Sequence, residues 1–117
     1  MAGGSGKVLL ITTPGRRTGI PRSTCVRYLK REGDYLVWGT ASGATTEPDW
    51  FRNLRASETA SVQVGGAQRT VHRRELTGEE RDRVWKDVVL VRVPGVARYE
   101  RKARRTIPVT VLTPRAD

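Results

Sequence analysis

Hydrophobic positions along the chain fall into short blocks of β-branched and aromatic residues, with turn residues between them. "KVLLIT" (Lys7–Thr12) is an apolar run that fits a buried strand. "RSTCVRYLK" (Arg22–Lys30) reads as a second strand, "REGD" as a hairpin turn and "YLVWGTA" (Tyr35–Ala41) as a third strand. Gly39, at the end of that strand, points to a bulge or a close backbone approach. After the loop "SGATTEP", Pro48 opens a short helix, "DWFRNLRA", in which Trp50, Phe51 and Leu54 make one apolar face. "ASVQV" and "AQRTVHRREL" flank Gly65-Gly66 as a hairpin. Thr77 and Glu80 have the spacing of a capping box that starts the helix "GEERDRVWKDVVLV". Pro94-Gly95 breaks that helix before a second helical piece, and "IPVTVL" (Ile107–Leu112) closes the chain as a strand. The pattern predicts an α+β fold: about six mostly antiparallel strands in a small barrel-like sheet, with short helices between them. Residues 1–6 read as a flexible leader and 7–117 as one domain.

Charge changes this picture at one place. The chain carries 22 Lys and Arg against 12 Asp and Glu, a formal net charge of +10. That excess suits a polyanionic partner: a phosphorylated cofactor, an acidic metabolite, nucleic acid or the surface of an anionic membrane. The stretch "TPGRRTGIPR" (Thr13–Arg22) holds three arginines, two glycines and two prolines between the first two strands. A turn held in shape by Gly and Pro would gather Arg16, Arg17 and Arg22 at one mouth of the barrel. Guanidinium groups there match phosphate in fork geometry. "GTASGA" (Gly39–Ala44) adds small residues and exposed amides, and Trp50 with Phe51 adds flat apolar surface. Small residues beside an aromatic wall, with a charged rim, suit a planar ring system that has an anionic tail.

Other chemistry is limited by composition. One cysteine, Cys25, allows no internal disulfide, and its mid-strand position predicts a packed thiol. One histidine, His72, lies in the basic run "RTVHRRE" and reads as a surface or half-buried residue; a metal site is not expected. No apolar run reaches the length of a membrane span, and the start is too short and polar for a signal peptide, so the chain reads as cytoplasmic.

The run "LLITTPGRRTGIPRSTCVRYLKREGDYLVWGTASGATTEPDWFRNLRA", followed by "SVQVGG" and "RTIPVTVLTP", resembles the deazaflavin-dependent nitroreductases and F420-dependent quinone reductases. The resemblance covers almost the whole chain: an LLxTxGRxTGxPR turn, a strand ending in small residues, and a P-x-W-[YF]-x-N-L helix. It implies a split β-barrel of the flavin-reductase type, with coenzyme F420 rather than FMN in a groove. Carried over by position, it implies cofactor contacts at Arg16, Arg17, Thr18, Arg22, Ser23 and Thr24. It implies further contacts at Thr40, Ala41, Ser42 and Gly43, and at Trp50, Phe51 and Asn53 on the wall helix. Val93, Val96 and Tyr99 match the acceptor pocket, with Tyr99 as the catalytic candidate; the proton would come from Tyr99, a bound water or solvent. Where relatives have a Lys followed by paired glycines, this chain has Ala41-Ser42-Gly43, and of the matching pocket positions only Tyr99 is a tyrosine.

The expected activity is hydride transfer from reduced deazaflavin to an enone, quinone or nitro-type acceptor. A carrier that binds F420 or another anion without turnover is the alternative, and a small basic barrel for single-stranded nucleic acid ranks third. A homodimer is compatible with all three readings.

Overall fold

The computed structural model describes residues 7–116. Seven strands form one antiparallel sheet in the order β2-β1-β5-β6-β7-β4-β3. They are β1 (Val8–Pro14), β2 (Pro21–Arg27), β3 (Leu29–Arg31), β4 (Asp34–Trp38), β5 (Thr59–Val64), β6 (Ala67–Glu75) and β7 (Val109–Pro114). The count is seven rather than six because "RSTCVRYLK" divides at Tyr28. Its first part pairs with β1 and its second with β4, at opposite ends of the sheet order. The sheet curls until β2 also approaches β4, giving the split half-barrel.

β4 shows how one sequence period serves two cores. Tyr35 and Val37 face a cluster inside the curl with Leu9, Ile11, Val62 and Leu54. Leu36 and Trp38 face the opposite cluster, beneath the helices, with Val84, Trp85, Val96 and Ile107. Alternating side chains of a strand point to opposite faces, so a strand buried on both sides reads as a continuous apolar run. That is what "YLVW" is.

The helices are α1 (Asp49–Arg55), α2 (Gly78–Val84), α3 (Leu90–Arg92) and α4 (Val96–Ala103). A π-helical turn, Trp85–Val89, joins α2 to α3, so the predicted long helix forms with a widened middle. Thr77 stands at its N-cap without a side-chain cap bond, and the expected capping box does not form. Arg74 takes the Glu80 carboxylate instead, with bonds of 2.9 and 3.2 Å. A two-pronged charged contact outcompetes a single backbone amide. The last strand begins two residues later than its sequence suggests. Arg81 donates twice to the Ile107 carbonyl, at 3.1 and 2.6 Å, and Pro108 has no amide to give a ladder. Cys25 is exposed, contrary to the packed thiol expected, because β2 is an edge strand that buries only Val26 fully. His72 is exposed on β6, as its basic surroundings suggest. The predicted leader, 1–6, lies outside the described residues.

Candidate functional site

The Arg-rich turn has one shape, set by its own backbone. Gly15 N donates to Ile20 O at 2.8 Å, Gly19 N to Gly15 O at 2.8 Å, and Ile20 N to Thr18 Oγ1 at 3.2 Å. A Cβ at Gly15 would sit 3.0 Å from that hydroxyl and 3.2 Å from the Ile20 carbonyl, so the close approach favours glycine. Gly19 has a φ of 76°, a left-handed conformation that other residues adopt at a cost.

Beside this turn opens a cleft of about 470 Å³. The turn supplies Arg16, Arg17 and Thr18; β2 supplies Arg22, Ser23 and Thr24; α1 supplies Asp49, Trp50 and Asn53. Sequence reasoning had assembled most of this set, and the antiparallel register of β1 with β2 explains why. Pairing Thr13 with Arg22 and Thr12 with Ser23 brings the arginines on either side of the turn to one end of the hairpin. The Thr12 and Ser23 hydroxyls bond each other at 2.7 Å across that pair.

The three arginines are not equivalent. Arg16 donates through its backbone N (3.1 Å) and Nη1 (2.8 Å) to Asn53 Oδ1, and through Nη2 to Asp49 at 3.3 Å. Its charge is largely spent on holding the turn to α1. Arg17 and Arg22 are exposed, and their side chains make no hydrogen bond or ion pair among the described residues. They are the cations left for a ligand.

Other expected contacts lie elsewhere. Phe51 is fully buried, with the Trp50 ring edge-on at 5.3 Å and the Arg55 guanidinium 5.3 Å from its centroid. It belongs to the core, and Trp50 alone supplies aromatic surface to the cleft. Gly39 is a close approach as anticipated: a Cβ there would lie 3.2 Å from both the Phe51 ring and Pro48.

Thr40, Ala41, Ser42 and Gly43 form a short 3₁₀ turn outside the cleft lining. Ala41 and Ser42 hold φ values of 48° and 53°. Lys102 lies across Gly43, close enough that a Cβ there would clash at 2.7 Å. Arg105, which sequence reasoning passed over, clamps this loop from its carbonyl side. It donates to Gly39, Thr40, Ala44 and Thr46 at 3.0–3.2 Å. Nothing in the run "KARRT" distinguishes Arg105 from its neighbours, because its partners lie about sixty residues away in the chain.

Val93 and Val96 are buried in the core beneath the helices. Tyr99 is half-buried on α4, outside the cleft lining, with the Arg98 guanidinium 5.8 Å from its ring. α4 packs against the 41–43 turn, which links Tyr99 to that loop through its helix.

A second charged network braces α1. Arg55 bridges Glu47 (2.7 and 2.9 Å) and Glu75 (2.7 and 2.9 Å). The hydrogen bond from Arg55 holds the Glu47 carboxyl below the usual carboxylate range; burial opposes the shift, and the charges of Arg55, Arg105 and Arg52 add to it. The two carboxylates in turn push Arg55 further into its charged state.

The family model for F420H(2)-dependent quinone reductases matches residues 3–114. The chain belongs to that family. An F420H(2)-dependent quinone reductase of Mycobacterium tuberculosis is 33% identical over 110 residues, covering 92% of this chain and 73% of that protein. Among solved structures, an F420-H2 dependent reductase superposes with a TM-score of 0.79 at 32% identity, covering 92% of this chain and 94% of the other. Another, described as a domain-swapped dimer, gives the same TM-score and identity and covers 80% of that chain. The family's description names a quinone, which narrows the acceptors expected from sequence and makes nitro compounds the coarser fit.

Proposed function

We propose that this chain is an F420-dependent reductase of quinones which grips the anionic tail of the cofactor in the cleft beside the Arg-rich turn. The observation that carries this reading is the pairing of two unspent guanidinium groups, Arg17 and Arg22, with the hydroxyl-bearing Thr18 and Thr24 in one cleft. Its volume, about 470 Å³, falls within the range of ligand sites. The residues fit the group. The cofactor's phosphate and glutamates need donors without acceptors, and guanidinium supplies only donors. The tight cradle at Gly15 holds the turn's backbone in place beside them.

Reduced F420 supplies the hydride by which a quinone becomes a hydroquinone. The chain's own part is to bind, orient and protonate. Arg17 and Arg22 fix the tail, and Trp50 offers an apolar face beside it. The turn at Ala41 and Ser42, outside the cleft lining, is held in a left-handed conformation and clamped by Arg105. Tyr99 is the proposed proton source, as the tyrosine on the helix that packs against this turn. Assembly as a homodimer is part of the same proposal.

Fluorescence titration with F420 and FMN, followed by quinone-dependent oxidation of the reduced cofactor, tests the reading. F420 should bind more tightly than FMN, and oxidation should require both protein and quinone. Binding without turnover across a panel of quinones would favour the carrier alternative.

A further inference from the structure

The helices cover only part of the outer face of the sheet. Over β4 and β7, Leu36, Trp38, Val109 and Val111 lie beneath them in one core. On β2, β1, β5 and β6 the outward residues of the same face are exposed or half-buried. Antiparallel register lays these residues out in rows that cross all four strands. One row is Cys25, Leu10, Gln63 and Gln68, and the next is Ser23, Thr12, Ser61 and Thr70. Arg27 marks one corner, and Arg74 borders the helices through its bonds to Glu80. Between them no Lys, Arg, Asp or Glu faces outward. In a chain that is 29% charged, an open face without charge is a specific feature. Depletion of charge is the compositional mark of the centre of a protein–protein interface.

We infer that this face binds its own counterpart on a second copy of the chain, sheet against sheet about a two-fold axis. This deepens the homodimer named above and rests on it. The chemistry of the face selects the partner. Two copies that each carry +10 repel one another, so they can close only where neither presents a charge. A two-fold contact also sets a surface against itself, which requires groups that are complementary to themselves. Hydroxyls and amides meet that requirement because each both donates and accepts, whereas arginines only donate. The groups are ordered beforehand: Thr12 and Ser23 bond each other at 2.7 Å, and Gln68 donates to Ser61 at 2.9 Å. Leu10, half-buried between Cys25 and Gln63, supplies apolar contact. Strands about 4.8 Å apart, with outward residues about 6.8 Å apart along each, give the face roughly 400 Å² of flat area. That is enough for the centre of a standard interface, with a polar rim around it. A polyanion would find no cation on this face, and a lipid surface too little hydrocarbon.

The chain's one cysteine, Cys25, stands exposed on this face and reports on it without any substitution. Analytical ultracentrifugation follows the monomer–dimer equilibrium over a range of protein concentration, and maleimide labelling gives the rate at Cys25 over the same range. The labelling rate should fall as the dimer fraction rises. Gln63→Lys sets like charges against each other across the axis. It should weaken the dimer about tenfold or more and hold Cys25 at the monomer's labelling rate. Val91→Lys makes a comparable change on α3, where Val91 is 67% exposed, and should alter neither reading. A dimer in which Cys25 still labels at the monomer's rate would overturn the inference. So would a dimer that survives Gln63→Lys or is broken by Val91→Lys. If urea unfolding shows that Gln63→Lys does not fold, Cys25 labelling in the natural chain decides alone. A natural chain that stays monomeric at every concentration would refute the homodimer itself, a result distinct from a dimer built on another face.

Discussion

Among the residues of the Arg-rich turn, the three guanidinium groups have separate tasks, and substitution should separate them. Arg22→Ala removes a cation whose side chain has no partner among the described residues, so folding should be nearly unaffected. Each charge-assisted contact is worth roughly 1.5–3 kcal/mol before solvent screening, so F420 should bind about tenfold more weakly. The deazaflavin core without phosphate and glutamates should bind as before. Equal losses for both ligands would mean that the arginine shapes the groove instead of gripping the tail. Tyr99 is tested differently, because it is proposed to act on the proton and not on binding. Tyr99→Phe should slow quinone reduction while leaving F420 affinity unchanged. Normal turnover with a lowered melting temperature would assign Tyr99 to packing alone. Motifs led to these residues, yet the motif could not tell Arg16 from Arg17. Arg16 meets Asn53, thirty-seven residues away.

At the level of elements, α1 is the hinge of the site: it carries Trp50 and Asn53 on one side and is tied through Arg55 to Glu47 and Glu75 on another. The Glu47 carboxyl titrates below its ordinary value, so its contribution is fully present above the unfolded pKa of about 4.3. It is lost as pH falls through the depressed folded value. Unfolding midpoints in urea should therefore drop as pH falls below about 5 in the natural chain, and drop less steeply in Glu47→Gln. Parallel curves would show that the bridge adds nothing to acid stability. Sequence patterning found α1 and both hairpins because each depends on local signals: Pro48 before Asp49, Gly33 after Glu32, the paired glycines at 65 and 66. It merged β2 with β3 because no turn residue marks Tyr28. The break exists since the two halves pair with strands at opposite ends of the sheet order, a choice made by the curl of the whole sheet.

Over the whole molecule, the net charge of +10 should make anion binding sensitive to ionic strength. Surface charges are screened beyond about 10 Å at 0.1 M salt, so F420 affinity should fall as salt rises, and fall less steeply in Arg22→Ala. Affinity for the core without phosphate and glutamates should depend on salt much less, and a salt-independent F420 affinity would remove electrostatics from the account of the cleft. The sequence by itself determined the family through the spacing of its turn, strand-end and helix motifs. It also determined the strand-rich pattern and the concentration of arginine at one hairpin end, where adjacency in the chain and antiparallel register already imply proximity. Tertiary structure alone decided which aromatic faces the cleft, sinking Phe51 into the core and leaving Trp50 at the edge. It alone spent the Arg16 charge on Asn53 and Asp49, and recruited Arg105 to clamp a loop that its local sequence gives no reason to expect. The physical reason is the same in each case. Hydrogen-bond and packing partners are fixed by distances across the folded sheet, and a side chain's chemistry names what it can bind without naming which distant residue will reach it first.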